Sequence, residues 1–275
     1  MTVHREDGAI LVCDPSGEER RTAEIRLLEN AELFFVSADM TELAVAAGSS
    51  MPIFAVAEED LPAPRGFIVF EKPIATDRNF TGEEVPVTAA TWWILPNPQL
   101  GPMLWFSFYI DAHGALDASV EEGLLTAAEA QARKQAQPRY TYSTDAAQIL
   151  GVEADPNDQS VLNLWGRTIV AAWLLMQQSL AVRSTVEPDR AARKRLRRQG
   201  QEPKAVRVIE LRRPKGGGAG DGSREYHHQW IVRGHWRQQW YPARQVHRPV
   251  WIAPHIKGPE GAPMIGGEKV YAWKR

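Results

Sequence analysis

The sequence predicts an α+β fold: an acidic mixed α/β N-terminal region packed on long helices, then a C-terminal module of two helices and a four-stranded antiparallel sheet. Three observations lead there. The first stretch, to about residue 115, is a series of short β-rich runs jointed by proline; helical segments follow up to residue 198; and from residue 205 strands succeed one another with hairpin-like connections. Charge divides the chain in a similar place. Residues 1–183 hold 12 Lys/Arg against 26 Asp/Glu and residues 184–275 hold 20 against 8, so an overall charge of −2 conceals parts of −14 and +12. The corresponding domains are an acidic α/β region with aromatic strands at 1–154 and a basic helix-helix-four-strand module at 155–275.

The N-terminal elements are expected as strands Leu33–Ser37, Gly66–Phe70, Val85–Leu95 and Met103–Ile110 and a helix over Met40–Ala47. Pro62, Pro64, Pro73, Pro96, Pro98 and Pro102 mark the joints. The runs containing Trp92-Trp93 and Trp105-Phe106 flank a proline-stiffened loop, which predicts an antiparallel pair, and aromatics at this density are core. Residues 118–136 begin with Glu121 and Glu122 and end with Arg133 and Lys134, the polarity a helix macrodipole favours. A second helix follows the cap-like Asp155-Pro-Asn-Asp158 and runs to about Arg183, with Asn163, Arg167, Ala171 and Gln178 as a thin polar stripe. It reads as the central core helix. A short basic helix opens at Pro188 and stops at Gly200. Strands then follow at Ala205–Arg213, Glu225–Trp240, His247–Ala253 and Lys269–Trp273, the first two joined by the glycine-rich Pro214–Ser223.

Composition narrows the function classes. With 44% hydrophobic and 24% charged residues, 275 residues can bury a core without covalent staples. Cys13, the single cysteine, excludes an internal disulfide and a Cys-rich zinc site and fits a cytoplasmic setting. The N-terminus shows no apolar stretch behind a basic start, so no secretory leader is expected. Val161–Val182 is the most apolar stretch, but its arginine and amides leave a run too short for a bilayer, so no membrane partner is expected. Gly216–Gly220 lacks the Lys-Ser/Thr ending of a phosphate loop, and His227 and His228, being adjacent, point to opposite faces of a strand. Neither a metal nor a cofactor is expected.

The chemistry concentrates between Tyr226 and Trp240. Alternation sends Tyr226, His228, Trp230, Val232, Trp236 and Trp240 one way and His227, Gln229, Arg233, His235 and Arg237 the other, giving a packing face and a cationic, titratable face. His247, Trp251, His255 and Lys257 share one parity of the next strand. Cleavage of RNA by its own 2′-hydroxyl needs a base, an acid and fixed positive charge, and histidine with arginine can supply all three. If the strands are neighbours with cationic faces matched, His235 and His255 face the same phosphate. Gly234 could instead mark a bulge that reverses the parity after it. Upstream, Arg190–Arg198 holds six cations whose mutual repulsion calls for an anion, either acidic surface from residues 1–160 or nucleic-acid phosphate.

Three segments, Arg233-Gly-His-Trp-Arg237, His247–Gly258 and Trp173–Gln178, resemble parts of uncharacterised proteins of actinobacteria, their phages and mobile elements. The order of two helices and four strands, with histidines and basic residues on one sheet face, is similar to metal-independent ribonucleases of the barnase–colicin–RelE type. That likeness implies architecture rather than activity.

The functional expectation is a nucleic-acid-directed protein, with RNA placed ahead of DNA. As an enzyme it is a metal-independent, toxin-like endoribonuclease: His235 and His255 are acid and base, Arg233, Arg237 and Lys257 stabilise phosphate, and His227 joins the same face. An inhibitory protein partner belongs to that reading. As a binding protein it is a regulatory or replication accessory factor, with Arg193, Lys194, Arg197 and Arg198 on phosphates and Trp236 and Trp240 stacking on bases. A third expectation is a structural or interaction protein whose oppositely charged halves attract each other.

Overall fold

The computed structural model describes residues 3–6, 9–12, 25–78, 84–153, 161–212 and 230–257, and it is a mixed α and β fold. A small hairpin pairs β1 (Val3–Glu6) with β2 (Ala9–Val12). The main sheet comprises β3 (Glu32–Val36), β4 (Arg65–Phe70), β5 (Ala75–Arg78), β6 (Glu84–Leu95), β7 (Met103–Asp111), β8 (Tyr140–Ile149), β9 (Ala181–Val186) and β10 (Val206–Leu211). Its order is β8-β7-β6-β4-β3-β10-β9, with β5 beside the first part of β6. β3 runs parallel to both β4 and β10, and the other pairings are antiparallel.

Two helices cover the inner face. α1 (Ala38–Ser49) makes the crossover between the parallel β3 and β4, and α4 (Val161–Met176) lies against it. They approach closely at Gly48, where a Cβ would fall 2.9 Å from the Cα of Thr168. Beneath them Trp92, Phe106 and Trp173 form an aromatic centre, with Trp92 and Phe106 ring centroids 5.0 and 5.7 Å from Trp173. Trp92, Trp173 and Phe108 have no exposed surface, so the expectation that these aromatics are core holds. On the outer face α2 (Ala112–Glu121) and α3 (Ala127–Ala136) pair with each other, α2 touching β6 and β8.

The strands expected at 33–37, 66–70, 85–95 and 103–110 and the helix at 40–47 are present within a residue or two at each end. Three readings are corrected. The helix at 118–136 is two helices: Asp111 caps α2 earlier, and a reciprocal Thr126–Glu129 capping box starts α3 afresh. The long helix ends at Met176 rather than Arg183, because Val182, Ser184 and Val186 alternate with Arg183 and Thr185 and form β9. And β10, expected to open a separate C-terminal sheet, lies inside the main one between β3 and β9. It carries apolar residues on both faces, Val206 and Val208 against Ile209 and Leu211, which suits an interior strand.

The remaining C-terminal strands are β11 (Trp230–Val232), β12 (His235–Tyr241), β13 (Val246–Ile252) and β14 (His255–Lys257). The basic helix is α5 (Arg190–Arg198). Cys13, Asp155–Asp158, Pro214–Ser223, Lys269–Trp273 and the first part of the expected strand Glu225–Trp240, residues 225–229 with Tyr226, His227 and His228, lie outside the described residues, and the rest of that strand is divided into β11 and β12.

Candidate functional site

β12 pairs antiparallel with β13, His235 opposite Ile252 and Trp240 opposite His247. β11 pairs with β14, Val232 opposite His255 and Trp230 opposite Lys257. Both ladders keep one register, so they form a single hairpin interrupted around Gly234 and Pro254, with no residue inserted. The continuous register excludes a bulge at Gly234. Glycine is required there for another reason: a Cβ at this position would meet the Trp251 ring at 2.5 Å.

With parity preserved, alternation holds on β12, whereas the β13 parity of His247 and Trp251, expected to be cationic, lies on the inward face beside Trp236. Trp236 and Trp251 turn inward, their rings edge to face at 5.3 Å, and the Trp236 indole N–H donates to the Ala47 carbonyl at 2.8 Å. Arg233, His235 and Arg237 are exposed on the other side. Partners across an antiparallel pair share a face, however, and His255 stands three residues beyond Ile252, the partner of His235. That odd step places His235 and His255 on opposite faces, and the expected acid–base pair is not assembled. Each imidazole Nδ1 instead meets a carbonyl of its own strand at 3.1 Å, Arg233 for His235 and Ala253 for His255.

The proposed partners of the histidines are likewise dispersed. Arg237 donates to the Gln239 side chain at 2.7 Å. Lys257 lies on β14, opposite Trp230 and two residues beyond His255. Of the two tryptophans expected to stack on bases, Trp236 is withdrawn into the packing. Trp240 remains 43% exposed, its ring centroid 4.8 Å from His247.

Charge does the rest of the docking. Arg248 donates to Asp60 at 2.7 Å, to the Ala55 carbonyl at 3.1 Å and to Glu59 at 3.1 Å, and Arg244 reaches Glu59 at 3.2 Å. Burial pushes the Asp60 carboxyl above its ordinary range, and the Ala57 N–H and the Arg248 charge only partly oppose it. The sequence reading passed over Arg248, although three consecutive acids, Glu58-Glu59-Asp60, signalled an anionic partner for the basic C-terminal part.

In α5, Asp189 caps the first turn by accepting the Ala192 N–H at 2.7 Å, and Ala192 and Leu196, one turn apart, are its half-buried side. Arg190, Arg193, Lys194, Arg195, Arg197 and Arg198 are all exposed. Among the described residues none of them makes an ion pair. Arg195, Arg197 and Arg198 occupy the last turn, where the helix dipole favours cations.

Comparison of the chain with family models, with curated proteins and with solved structures finds no match. Among the described residues no helix is long and apolar enough to cross a membrane, and no group of three His, Cys, Asp or Glu is placed to hold a metal ion.

Proposed function

We propose that the chain is a non-catalytic nucleic-acid-binding protein that grips single-stranded RNA, ahead of DNA, through the phosphates. The observation that carries the reading is the set of six exposed cations on α5 without ion pairs among the described residues. Residues four apart on a helix are neighbours, so Arg193 with Arg197 and Lys194 with Arg198 present two adjacent pairs of charge, with Cβ atoms about 6 Å apart. Phosphate supplies the anion that the described residues do not, and each neutralised phosphate releases bound counterions. The exposed Trp240, braced by His247, offers one ring for stacking on an unpaired base. Arg233 and Arg237, outward on the hairpin, add charge for backbone contacts. Regulation or replication accessory work is the role that such sequence-tolerant binding serves.

The test is fluorescence anisotropy of a labelled oligoribonucleotide across a salt series. Affinity should fall steeply with salt, and Arg193→Ala with Arg197→Ala should lower the slope of log K against log salt by about 1.4, the single-strand value for two lost contacts. Binding that ignores salt, or a double variant with an unaltered slope, overturns the reading.

A further inference from the structure

The outer face of the main sheet holds a cavity of about 420 Å³ whose floor is Leu33, Phe35, Phe67, Val69 and Val206, from β3, β4 and β10. It lies on the other side of the sheet from the helices on which the hairpin docks. We propose that this cavity is a binding site for a small uncharged aromatic molecule carrying one hydrogen-bond acceptor, such as an aryl ketone, with the Thr88 hydroxyl as donor.

Thr88 is the independent sign of a missing partner. The register between β6 and β7 shifts between Val87 and Ala89, which leaves Thr88 as the extra residue of a bulge, a device that re-aims a side chain. Thr88 lines the cavity and is 8% exposed, and its Oγ1 is buried with no hydrogen-bond partner among the described residues. Buried hydroxyls are nearly always paired, so one left over beside a cavity marks a place for a ligand atom.

The walls set the chemical class. Phe67 is held edge-on by Tyr109 and Tyr140, with centroids 6.0 and 5.7 Å away, so its ring is a fixed surface for another flat ring. Charge at the rim is already satisfied. Arg139 donates from Nη2 to Asp111 at 2.9 Å, and Glu71 accepts the Ala38 N–H at 2.6 Å. Two carboxylates against one guanidinium leave no positive charge to attract an anion, which favours a neutral guest. The volume is in the range of small-molecule sites.

The uncharged naphthyl ketone Prodan, whose emission shifts to the blue in apolar surroundings, tests this on the full chain. One saturable, blue-shifted site is expected. Val206→Phe, which fills the cavity from a half-buried position, should weaken binding about tenfold or more. Thr88→Val keeps the shape and removes the hydroxyl; it should weaken binding about threefold to tenfold, the worth of one hydrogen bond, while melting at or above the temperature of the unaltered chain. The proposal is overturned if no saturable site appears, if Thr88→Val binds as well as the unaltered chain, or if Val206→Phe binds undiminished. Tighter binding of anionic anilinonaphthalene sulfonate at the same site would overturn it as well.

Discussion

In the hairpin of β12 and β13, Arg244 and Arg248 reach back to Glu59 and Asp60, whereas in α5 six cations end in solvent. The two regions belong to the same basic third of the chain, so net charge alone does not tell them apart. What differs is the neutral surface each brings. The hairpin has two inward tryptophans that need covering, so it docks and its arginines find acids of the N-terminal part. Helix α5 has only Ala192 and Leu196 to bury, so little holds it down and its charge stays available. Attraction between the two halves thus acts as a clasp at Glu59 and Asp60 and, within the main sheet, between Arg207 and Glu32, and does not extend to the helix among the described residues.

The largest effects are on stability. Trp251→Ala empties a buried ring site and should cost about 4 kcal/mol. Arg248→Ala leaves Asp60 buried without its guanidinium and should cost about 3 kcal/mol. Arg193→Ala with Arg197→Ala, on exposed positions, should change stability by no more than about 0.5 kcal/mol. Urea midpoints at constant slope measure all three. A costly α5 variant would mean that the helix is clasped as the hairpin is.

Much of this contrast was legible in the sequence, for reasons that particular residues make plain. Alternation through Trp236 and Arg237 sorted the faces of β12 correctly because a residue period of two survives whatever the strand packs on. Glu32–Val36 and Met103–Asp111 were readable because their apolar content has no other use than a sheet. The place of β10 was not, since a six-residue strand can pair with any edge, and only the burial of Ile209 beside Val36 shows that it joined β3. β8 escaped notice because Tyr140–Ile149 carries Ser143, Thr144, Asp145 and Gln148, and its polarity masks the period. The failed pairing of His235 with His255 had a similar cause. Parity within each strand was right, but which residue stands opposite which depends on the turn between Tyr241 and Val246.

In binding, the two regions should part by a smaller margin. Arg197→Ala should lower the salt slope for a labelled oligoribonucleotide by about 0.7, one single-strand phosphate contact. Arg244→Ala should leave both slope and affinity nearly unchanged, because Glu59 already neutralises that charge. Equal losses from the two would show that the clasp opens when nucleic acid binds, and then Glu59→Gln should raise the affinity.

The smallest effect separates the clasp from Asp111, a buried carboxylate held by the largely exposed Arg139. Burial pushes both carboxyls up. At Asp111 the hydrogen bonds from Arg139 and the Gly114 N–H outweigh it, so the folded value lies below the ordinary 3.8. At Asp60 burial prevails and the folded value lies above 3.8. The signs of the linkage are then opposite. What Asp111 contributes to stability is fully present above the ordinary value and is lost as pH falls through the folded one. What Asp60 contributes is fully present below the ordinary value and is lost as pH rises through the folded one. Stability measured by urea from acid to neutral pH should therefore show Asp60→Asn improving relative to the unaltered chain as pH rises and Asp111→Asn worsening. If Asp60→Asn worsened as well, Arg248 would be stabilising the Asp60 carboxylate beyond the cost of burying it, and the clasp would be an electrostatic lock rather than a contact carried by its tryptophans.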